Sequence, residues 1–400
     1  MKKYLKGRDT LLATIFVFII TGLFGLLVIN IHVFDPFKRA FLDFELTDIY
    51  YSKIRNEKYS TDTNIVVINI GKLSRDSIAL ILNKVDEQNP LVVGLDAFFT
   101  DRKDKASDSL LKSAFAKTKN LVLAGIINSD EEGRNNISGT NPWFGNYPVT
   151  YANLTGNENN TTTVREFRPF AVDKDRLYSS FTAEIVKKAD PKAWERLKSR
   201  DNEHEIINYK GGANSYICID VKGIFDTVTD LSILKNKIVL MGYMGESFTA
   251  TPDLEDLHFT PMNQKVSGRA IPDMWGVLIH ANIISMILHN DFINITPPWV
   301  NWLLSFILCY LHLALFIYLY LKRHKWFHFT GKVIQFITSV LLLWLAFLIY
   351  EHFGIKISVA PSVLVIMLSM DLLYFYEGLV KFIGNRVRFK SIFFENKNHI

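Results

Sequence analysis

Several polar residues and glycines directly follow apolar runs that have the composition of buried strands. Asp96, near the end of "LVVGLDAFFT", is the clearest case. If these runs are strands of one parallel sheet, their carboxyl ends share an edge, and such sheets bind their ligands at that edge. The residues that would meet there are Asn69, Asp96, Gly242, Glu246, Thr251 and Asp253. They predict the rim of a polar pocket for a small molecule or a cation.

Asp96 also has a structural interpretation. A carboxylate that stays charged in a buried position needs hydrogen bonds, which it can obtain by capping a helix or by accepting loop N–H groups. The acidic loop "PDLEDLH" contains groups that a divalent cation uses, but acidic surface loops usually bind no ion. The residue types form no recognisable nucleophile, base or zinc set. We therefore expect no catalytic residues, no metal and no cofactor, and a protein that is not an enzyme.

The elements that must position these residues alternate along the chain. The strand-like run "NIVVINI" precedes the helical pattern "SRDSIALILNKVDEQ", and "LVVGLDAFFT" precedes the helical pattern "SDSLLKSAFAKTK" and the run "NLVLAGII". Near-continuous apolar strands separated by amphipathic helices are typical of a parallel sheet that is covered on both faces. The pattern predicts an α/β domain with a largely parallel central sheet.

Four apolar stretches are long enough to cross the hydrocarbon core of a bilayer. They cover residues 11–31, 299–321, 333–350 and 357–376, in a chain of 400 residues that is 49% hydrophobic. The first stretch has no small-x-small cleavage site after its apolar core, which favours an uncleaved anchor over a signal peptide. The sequence thus predicts one amino-terminal span and three carboxyl-terminal spans.

Basic residues predict the orientation of these spans. Residues 1–10, 322–332 and 377–400 are basic, and the positive-inside rule places them in the cytoplasm. Residues 32–298 then form one extracytoplasmic domain, in the periplasm of a Gram-negative cell. That segment carries 31 Lys+Arg and 35 Asp+Glu against 14 and 5 elsewhere, so the net charge of +5 reflects topology and not nucleic-acid binding. The expected location is the bacterial inner membrane.

Three polar residues stand in strongly apolar helical patterns. His280 and Asn282 belong to "GVLIHANIISMIL", which leads towards the second span, so we expect them on a helix that couples the domain to the membrane. His280 borders the apolar stripe of that helix, and both a structural histidine and a ligand contact stay open. Asp371 lies inside the fourth span, where a charge is costly. Pairing with a neighbouring helix or subunit, snorkelling and ion translocation are its open interpretations.

The runs "NIVVINI", "VVGLDAFF", "NLVLAGI", "TTTVREFRPF", "LKNKIVLMGYMGESFTATPD" and "GVLIHANIISMIL", in this order and ahead of three spans, resemble the type-2 CHASE domain. The resemblance covers about residues 45–295, and it implies the extracytoplasmic sensor module of bacterial adenylate cyclases and kinases. Asn69 departs from the family, which often has an acidic residue there. A second departure follows the fourth span, where about 20 residues remain, too few for a cyclase or kinase fold.

The expected function is that of a membrane sensor. Its outer domain would bind an unidentified small molecule or a partner, and its membrane helices would pass the signal to a separate membrane or cytoplasmic protein. The lipid bilayer is the first expected partner, and self-association stays open. The alternative is a non-catalytic structural subunit that serves as an assembly platform in a cell-envelope complex.

Overall fold

The computed structural model describes residues 2–30, 46–55, 61–129, 135–154, 163–173, 176–226, 228–246, 255–264, 271–322, 325–384, 386 and 390–395. The chain divides into two compact units. We call Leu42–Ile293 the sheet domain, and Met1–Phe41 together with Asn294–Ile400 the helical unit. Two residues of the expected pocket rim, Thr251 and Asp253, lie outside the described residues.

Short and long strands alternate with helices through the sheet domain. Its strands are β1 Asp62–Asn69, β2 Val92–Leu95, β3 Leu121–Leu123, β4 Ile126–Ser129, β5 Asn135–Ser138, β6 Glu166–Phe167, β7 Phe170–Asp173, β8 Arg176–Ser179, β9 Glu205–Ile206, β10 Tyr216–Ile219, β11 Ile238–Gly242, β12 Leu257–His258 and β13 Met274–Trp275. Among the described residues, five of these form a central sheet in the order β10-β1-β11-β2-β3. Every neighbouring pair in it is parallel. The predicted α/β fold with a parallel sheet is confirmed.

Helices cover this sheet and make up most of the helical unit. The longer ones are α1 Arg8–Asn30, α2 Arg75–Glu87, α3 Lys105–Lys117, α4 Phe181–Ala189, α5 Pro191–Ser199, α6 Val221–Phe225, α7 Gly276–His289, α8 Pro298–Leu321, α9 Phe327–Phe353 and α10 Ala360–Gly384. Two short strands of the helical unit, β14 Asn294–Ile295 and β15 Ile355–Lys356, pair in parallel.

The apolar strands lie in the core because both of their faces are covered. The four consecutive residues 65–68 of β1 are all fully buried, as expected for a strand with a layer on each side. On one of these layers, α2 buries Ile78, Leu82 and Val85 along one face. Asp104 is the N-cap of helix α3, because its carboxylate accepts a hydrogen bond from the backbone N–H of Ser107 at 2.9 Å.

Glycine in β2 allows α4 to approach the sheet. A Cβ at Gly94 would stand 2.5 Å from Ile185 Cδ1 and 3.1 Å from Phe181 Cζ, both on α4. Gly242 at the end of β11 does the same for α7, since a Cβ there would stand 2.7 Å from the Cβ of Val277. The close contact at Gly242 brings the first turn of α7 against the carboxyl edge of the sheet.

Two boundaries differ from the sequence expectation. The run "NLVLAGII" is not one strand, because only Leu121–Leu123 pairs with β2, while Ile126–Ser129 turns away and pairs antiparallel with β5. The sequence also predicts that the run "PDMWGVLIHANIISMILHND" is helical from near Pro272, whereas the helix begins at Gly276. The preceding residues Met274–Trp275 pair with Leu257–His258 and are therefore held in an extended conformation.

Four helices of the described residues are long and apolar enough to cross a membrane. They are α1, α8, α9 and α10, which matches the expected layout of one amino-terminal and three carboxyl-terminal spans. The third extends beyond the expected range 333–350 at both ends, since it runs over Phe327–Phe353. The fourth, Ala360–Gly384, begins after the expected residue 357 and continues past the expected residue 376.

Asp371 lies near the middle of α10 and has a partner on the neighbouring helix. Its carboxylate is 2.7 Å from Lys332 Nζ of α9, and both side chains are about half exposed. Lys381, nearer to the end of α10, pairs with Glu377 at 2.6 Å instead. An opposite charge within hydrogen-bonding distance reduces the cost of an ionisable group in a span. The geometry therefore supports pairing with a neighbouring helix for Asp371.

Candidate functional site

A cavity of about 440 Å³ lies where β2 and β11 end in the sheet domain. Asp96 and Tyr243, which follow these two strands, form part of its wall. The beginning of α7 and the loop before β12 contribute Gly276, His280 and Asp256. Both the volume and the position are typical of small-molecule sites in proteins with a parallel sheet.

Asp96 is held at the wall by its backbone and not by its carboxylate. Its N–H donates to the carbonyl of Met241 at 2.8 Å, which continues the pairing of β2 with β11 for one more residue. The side chain is 12% exposed. From the described part of the chain, the carboxylate receives no hydrogen bond. In the structural interpretation, the Asp96 carboxylate caps a helix or accepts hydrogen bonds from loop N–H groups. No contact between the described residues supports that interpretation.

Burial dominates the electrostatics of Asp96. Loss of water, followed by repulsion from the Asp256 carboxylate, raises the pKa of Asp96 to about 8. The carboxyl group is therefore protonated at neutral pH, because the neutral form is the one that a poorly solvated site tolerates.

His280 faces Asp96 from the second turn of α7. Its Nε2 lies 3.8 Å from Asp96 Oδ2, beyond a direct hydrogen bond. The ring packs edge-on against Phe181 of α4, with 5.3 Å between the centroids. The side chain is 5% exposed, and Nδ1 has no hydrogen-bond partner among the described residues. Such an orphaned buried polar atom is uncommon and calls for an explanation.

The two groups form a neutral pair at physiological pH. Burial lowers the pKa of His280 to about 4, and the nearby Asp256 carboxylate only partly opposes this effect. Together with the raised pKa of Asp96, this leaves one proton on the pair between about pH 4 and pH 8. The 3.8 Å separation is short enough for an ion pair by distance alone, but desolvation outweighs the attraction at this site.

A second acid and a second histidine, Asp256 and His258, line the same cavity. His258 Nε2 is 3.2 Å from Asp256 Oδ1, and the pairing of β12 with β13 sets their place next to α7. Asp256 has a positive φ of 57°, and its carbonyl accepts the N–H of Gly276 at 3.2 Å. Its carboxylate would be 3.0 Å from a Cβ at Gly276. The carboxylate thus lies beside the positive end of the helix dipole.

Asn69 lies at the carboxyl edge but away from the cavity wall. Its Oδ1 accepts the N–H groups of Gly71 at 3.0 Å and Met244 at 2.9 Å. Its Nδ2 donates to Asp220 Oδ1 and to the carbonyl of Gly245, both at 3.1 Å. The amide therefore has no capacity left for a ligand, and it ties the loop after β1 to the loop after β11.

The remaining residues of the expected rim and coupling helix lie as follows. Gly242 is buried under Val277, and Glu246 is exposed outside the cavity wall. Asn282 is fully buried on α7. Its Oδ1 accepts the N–H groups of Lys210 at 2.6 Å and Gly211 at 3.1 Å. Asn282 therefore holds the helix to a neighbouring loop. It does not line the cavity, whereas His280 does.

Sequence reasoning missed Asp256, His258 and Tyr243 as wall residues. The signal for the first two was the run "PDLEDLH", in which three acids lead into a short strand that ends at His258. The described part of the chain contains no cluster of three or more His, Cys, Asp or Glu side chains arranged to hold a metal ion.

The fold and the site define an α/β domain of the extracytoplasmic sensory type, carried by membrane-spanning helices. The model of the CHASE2 domain matches residues 13–319, and the chain therefore belongs to the CHASE2 family. This confirms the resemblance to the type-2 CHASE domain, and the family is a sensory and not a catalytic one. None of the curated proteins and none of the solved structures compared with the chain matches it.

The neutral pair predicts an unusual dependence of stability on pH. Between pH 6.5 and about 8 the folded chain retains the Asp96 proton that the unfolded chain has lost, so the free energy of unfolding falls as the pH rises. Below pH 6.5, uptake of a proton by unfolded His280 has the opposite sign and cancels this slope. Relative to Asp96→Asn, the wild type should lose about 2 kcal/mol over this window.

Urea unfolding of the full chain in detergent micelles, followed by tryptophan fluorescence at several pH values, measures this difference. Glu87→Gln removes one carboxylate from the exposed end of α2 and should keep the wild-type slope. Parallel pH profiles for the wild type and Asp96→Asn would contradict the assignment of a protonated Asp96.

Proposed function

We propose that the protein is a membrane sensor in which the cavity beside Asp96 and His280 binds a small extracytoplasmic ligand. Membership of a sensory family supports the class of function. The observation that carries the proposal is the polar pair Asp96 and His280 in the cavity wall, whose facing atoms lie 3.8 Å apart and have no hydrogen-bond partner among the described residues. A ligand that hydrogen-bonds to both groups would be stabilised by these contacts.

Helix α7 is the element that would transmit the binding event. Its second turn carries His280 in the cavity wall, and Asn282 fixes its middle to residues 210–211. Further along, Ser285 donates to the buried carboxylate of Asp62 at the start of β1 at 2.6 Å. A helix held at several points along its length moves as one body, so a shift at the pocket reaches its carboxyl end.

The chain continues from that end into the membrane. Helix α7 ends at His289, and α8 begins at Pro298. Because only eight residues separate the two helices, a displacement of α7 changes the position or tension at the start of the second span. In this proposal the signal then passes through the spans to a separate membrane or cytoplasmic partner, whose contact region would be the basic segment "KRHKWFHFTGK".

The proposed location is the inner membrane, with both termini and residues 322–332 in the cytoplasm. The support is the distribution of basic residues around the four membrane-capable helices. The sheet domain then lies in the periplasm, where small solutes reach it directly.

Cysteine labelling of spheroplasts tests this topology. Ser199→Cys, on the exposed end of α5, should react with a membrane-impermeant maleimide in intact spheroplasts, whereas Trp326→Cys should react only after permeabilisation. Both positions are exposed. Burial raises the pKa of the native Cys218 thiol to about 11, which keeps its background labelling low. The reverse accessibility pattern would overturn the proposed orientation.

Filling the cavity tests transmission without knowledge of the ligand. Ala152 is nearly buried and lines the cavity, so Ala152→Phe should occupy part of its volume and shift α7. We expect changed hydrogen–deuterium exchange in α7, in α8 and in residues 322–332 of the full-length protein. The matched control Val172→Phe adds the same ring at a position that is 54% exposed and should leave these segments unchanged.

An exchange pattern that changes only around the cavity would contradict a sensor that signals through its spans. That result would favour the alternative, a structural subunit whose domain serves as an assembly platform. Thermal unfolding of Ala152→Phe verifies that the variant is folded before the comparison is made.

A further inference from the structure

We propose that the cavity binds a small organic cation through a primary ammonium group, which lies between the carboxyl groups of Asp96 and Asp256. This inference rests on the proposed function, since it names the class of ligand that the same cavity would take. It uses the charge of the wall, the orphaned polar atoms and the apolar surfaces around them.

The charge of the wall selects against anions. Three acidic residues line the cavity, namely Asp96, Glu255 and Asp256, and none of the described wall residues is a lysine or an arginine. Lys72 approaches from outside the wall, but it pairs with Glu255 at 2.7 Å. A carboxylate or phosphate ligand would face repulsion from the Asp256 carboxylate and would gain no attraction from the neutral Asp96, with no lysine or arginine among the described wall residues to offset the repulsion. A cationic ligand is attracted by the same arrangement.

The orphaned atoms match the donors of an ammonium group. An ammonium has three N–H donors and no acceptor. The carboxyl group of Asp96 and Nε2 of His280 lie 3.8 Å apart in the wall, and neither has a hydrogen-bond partner among the described residues. If His280 carries its proton on the enclosed Nδ1, then Nε2, which faces Asp96, is an acceptor. Asp96, Asp256 and His280 then supply three acceptors for three donors.

Apolar groups provide the place for the rest of such a ligand. Phe98, Ile126 and Leu154 line the cavity beside the acidic groups. Phe98 is 48% exposed, and Tyr243 adds a second aromatic ring to the wall. Aromatic faces attract cations, and apolar side chains accommodate the methylene carbons of an alkylamine.

Binding would displace a proton from Asp96. The free site contains a protonated Asp96 and a neutral His280, because burial raises one pKa and lowers the other. An ammonium that arrives with its positive charge stabilises the Asp96 carboxylate, and the carboxyl proton leaves to solvent. The other titratable groups in the wall are Tyr243, Glu255, Asp256 and His258, and Lys72 pairs with Glu255 from outside the wall.

Isothermal titration calorimetry on the full-length protein in zwitterionic nanodiscs tests the inference. The probes are putrescine and ethanolamine as amines, glucose as a neutral polyol and succinate as a dianion. We expect an amine to bind, to release up to one proton per site at pH 7, and to bind about tenfold more weakly for each pH unit below 8. Proton release follows from the heats in two buffers of different ionisation enthalpy.

Variants assign the binding to the cavity. Asp96→Asn should abolish proton release and weaken amine binding by at least about tenfold, since a neutral amide replaces the carboxylate. Ala152→Phe should block binding by volume. Glu87→Gln removes a carboxylate of the exposed α2 terminus and should bind like the wild type.

Three outcomes would overturn the inference. These are no heat with any of the amines, amine binding that is unaffected by Asp96→Asn, and amine binding without proton release at pH 7. If glucose or succinate binds and Ala152→Phe blocks it, the ammonium assignment fails while the cavity remains the sensor site. If Ala152→Phe leaves the spans unchanged in hydrogen exchange although an amine binds, the signalling proposal fails and the ligand assignment stands.

Discussion

The burial of Asp96 at the end of a parallel strand is the constraint on which the site depends. Its backbone must continue the ladder between β2 and β11, so its side chain has to enter the space under the first turns of α7. That space is too poorly solvated for a charge, and the carboxyl group stays protonated opposite a neutral His280. A core built only for stability would place an apolar residue or a satisfied polar pair there.

Helix α7 connects the buried Asp96 site to other parts of the chain. Its amino end packs on Gly242 and on the carboxylate side of Asp256. Its later turns are held by the hydrogen bonds of Asn282 with Lys210 and Gly211 and by the bond of Ser285 to Asp62. Lys210 also approaches the Asp62 carboxylate, at 3.5 Å, and hydrogen bonding and charge lower the pKa of Asp62 against the opposing effect of its burial. Charged and hydrogen-bonded side chains thus fix the carboxyl-terminal half of α7. Neutral side chains without hydrogen-bond partners among the described residues lie beside its amino-terminal half.

Much of this architecture could be predicted from the sequence, because its signals are local. Apolar β-branched runs separated by amphipathic helices predict the parallel sheet, and the position of Asp96 after such a run predicts its place at the ligand edge. Four long apolar stretches likewise predict the membrane-capable helices. Each of these inferences depends on residues close together in the chain.

The composition of the pocket wall could not be predicted, because it depends on contacts between distant segments. Asn69 ends β1 and Asp96 directly follows β2, so both lie at the carboxyl edge of the sheet, yet the hydrogen-bonding groups of the Asn69 amide are fully used by loop residues. His258 joins the wall only because β12 pairs with β13. Similarly, Asp371 pairs with Lys332 of the preceding helix and not with Lys381 on its own helix. No periodicity in the sequence encodes these choices.

The protonation state of Asp96 at neutral pH is the central claim, and infrared spectroscopy observes it directly. A difference spectrum between the wild type and Asp96→Asn, recorded on the full-length protein in nanodiscs at pH 7, isolates the absorption of this one carboxyl group. The account predicts the carbonyl band of a protonated carboxylic acid, present in the wild type and lost in the variant. Carboxylate bands in its place would show an ionised Asp96, paired with a charged His280, and would contradict the account.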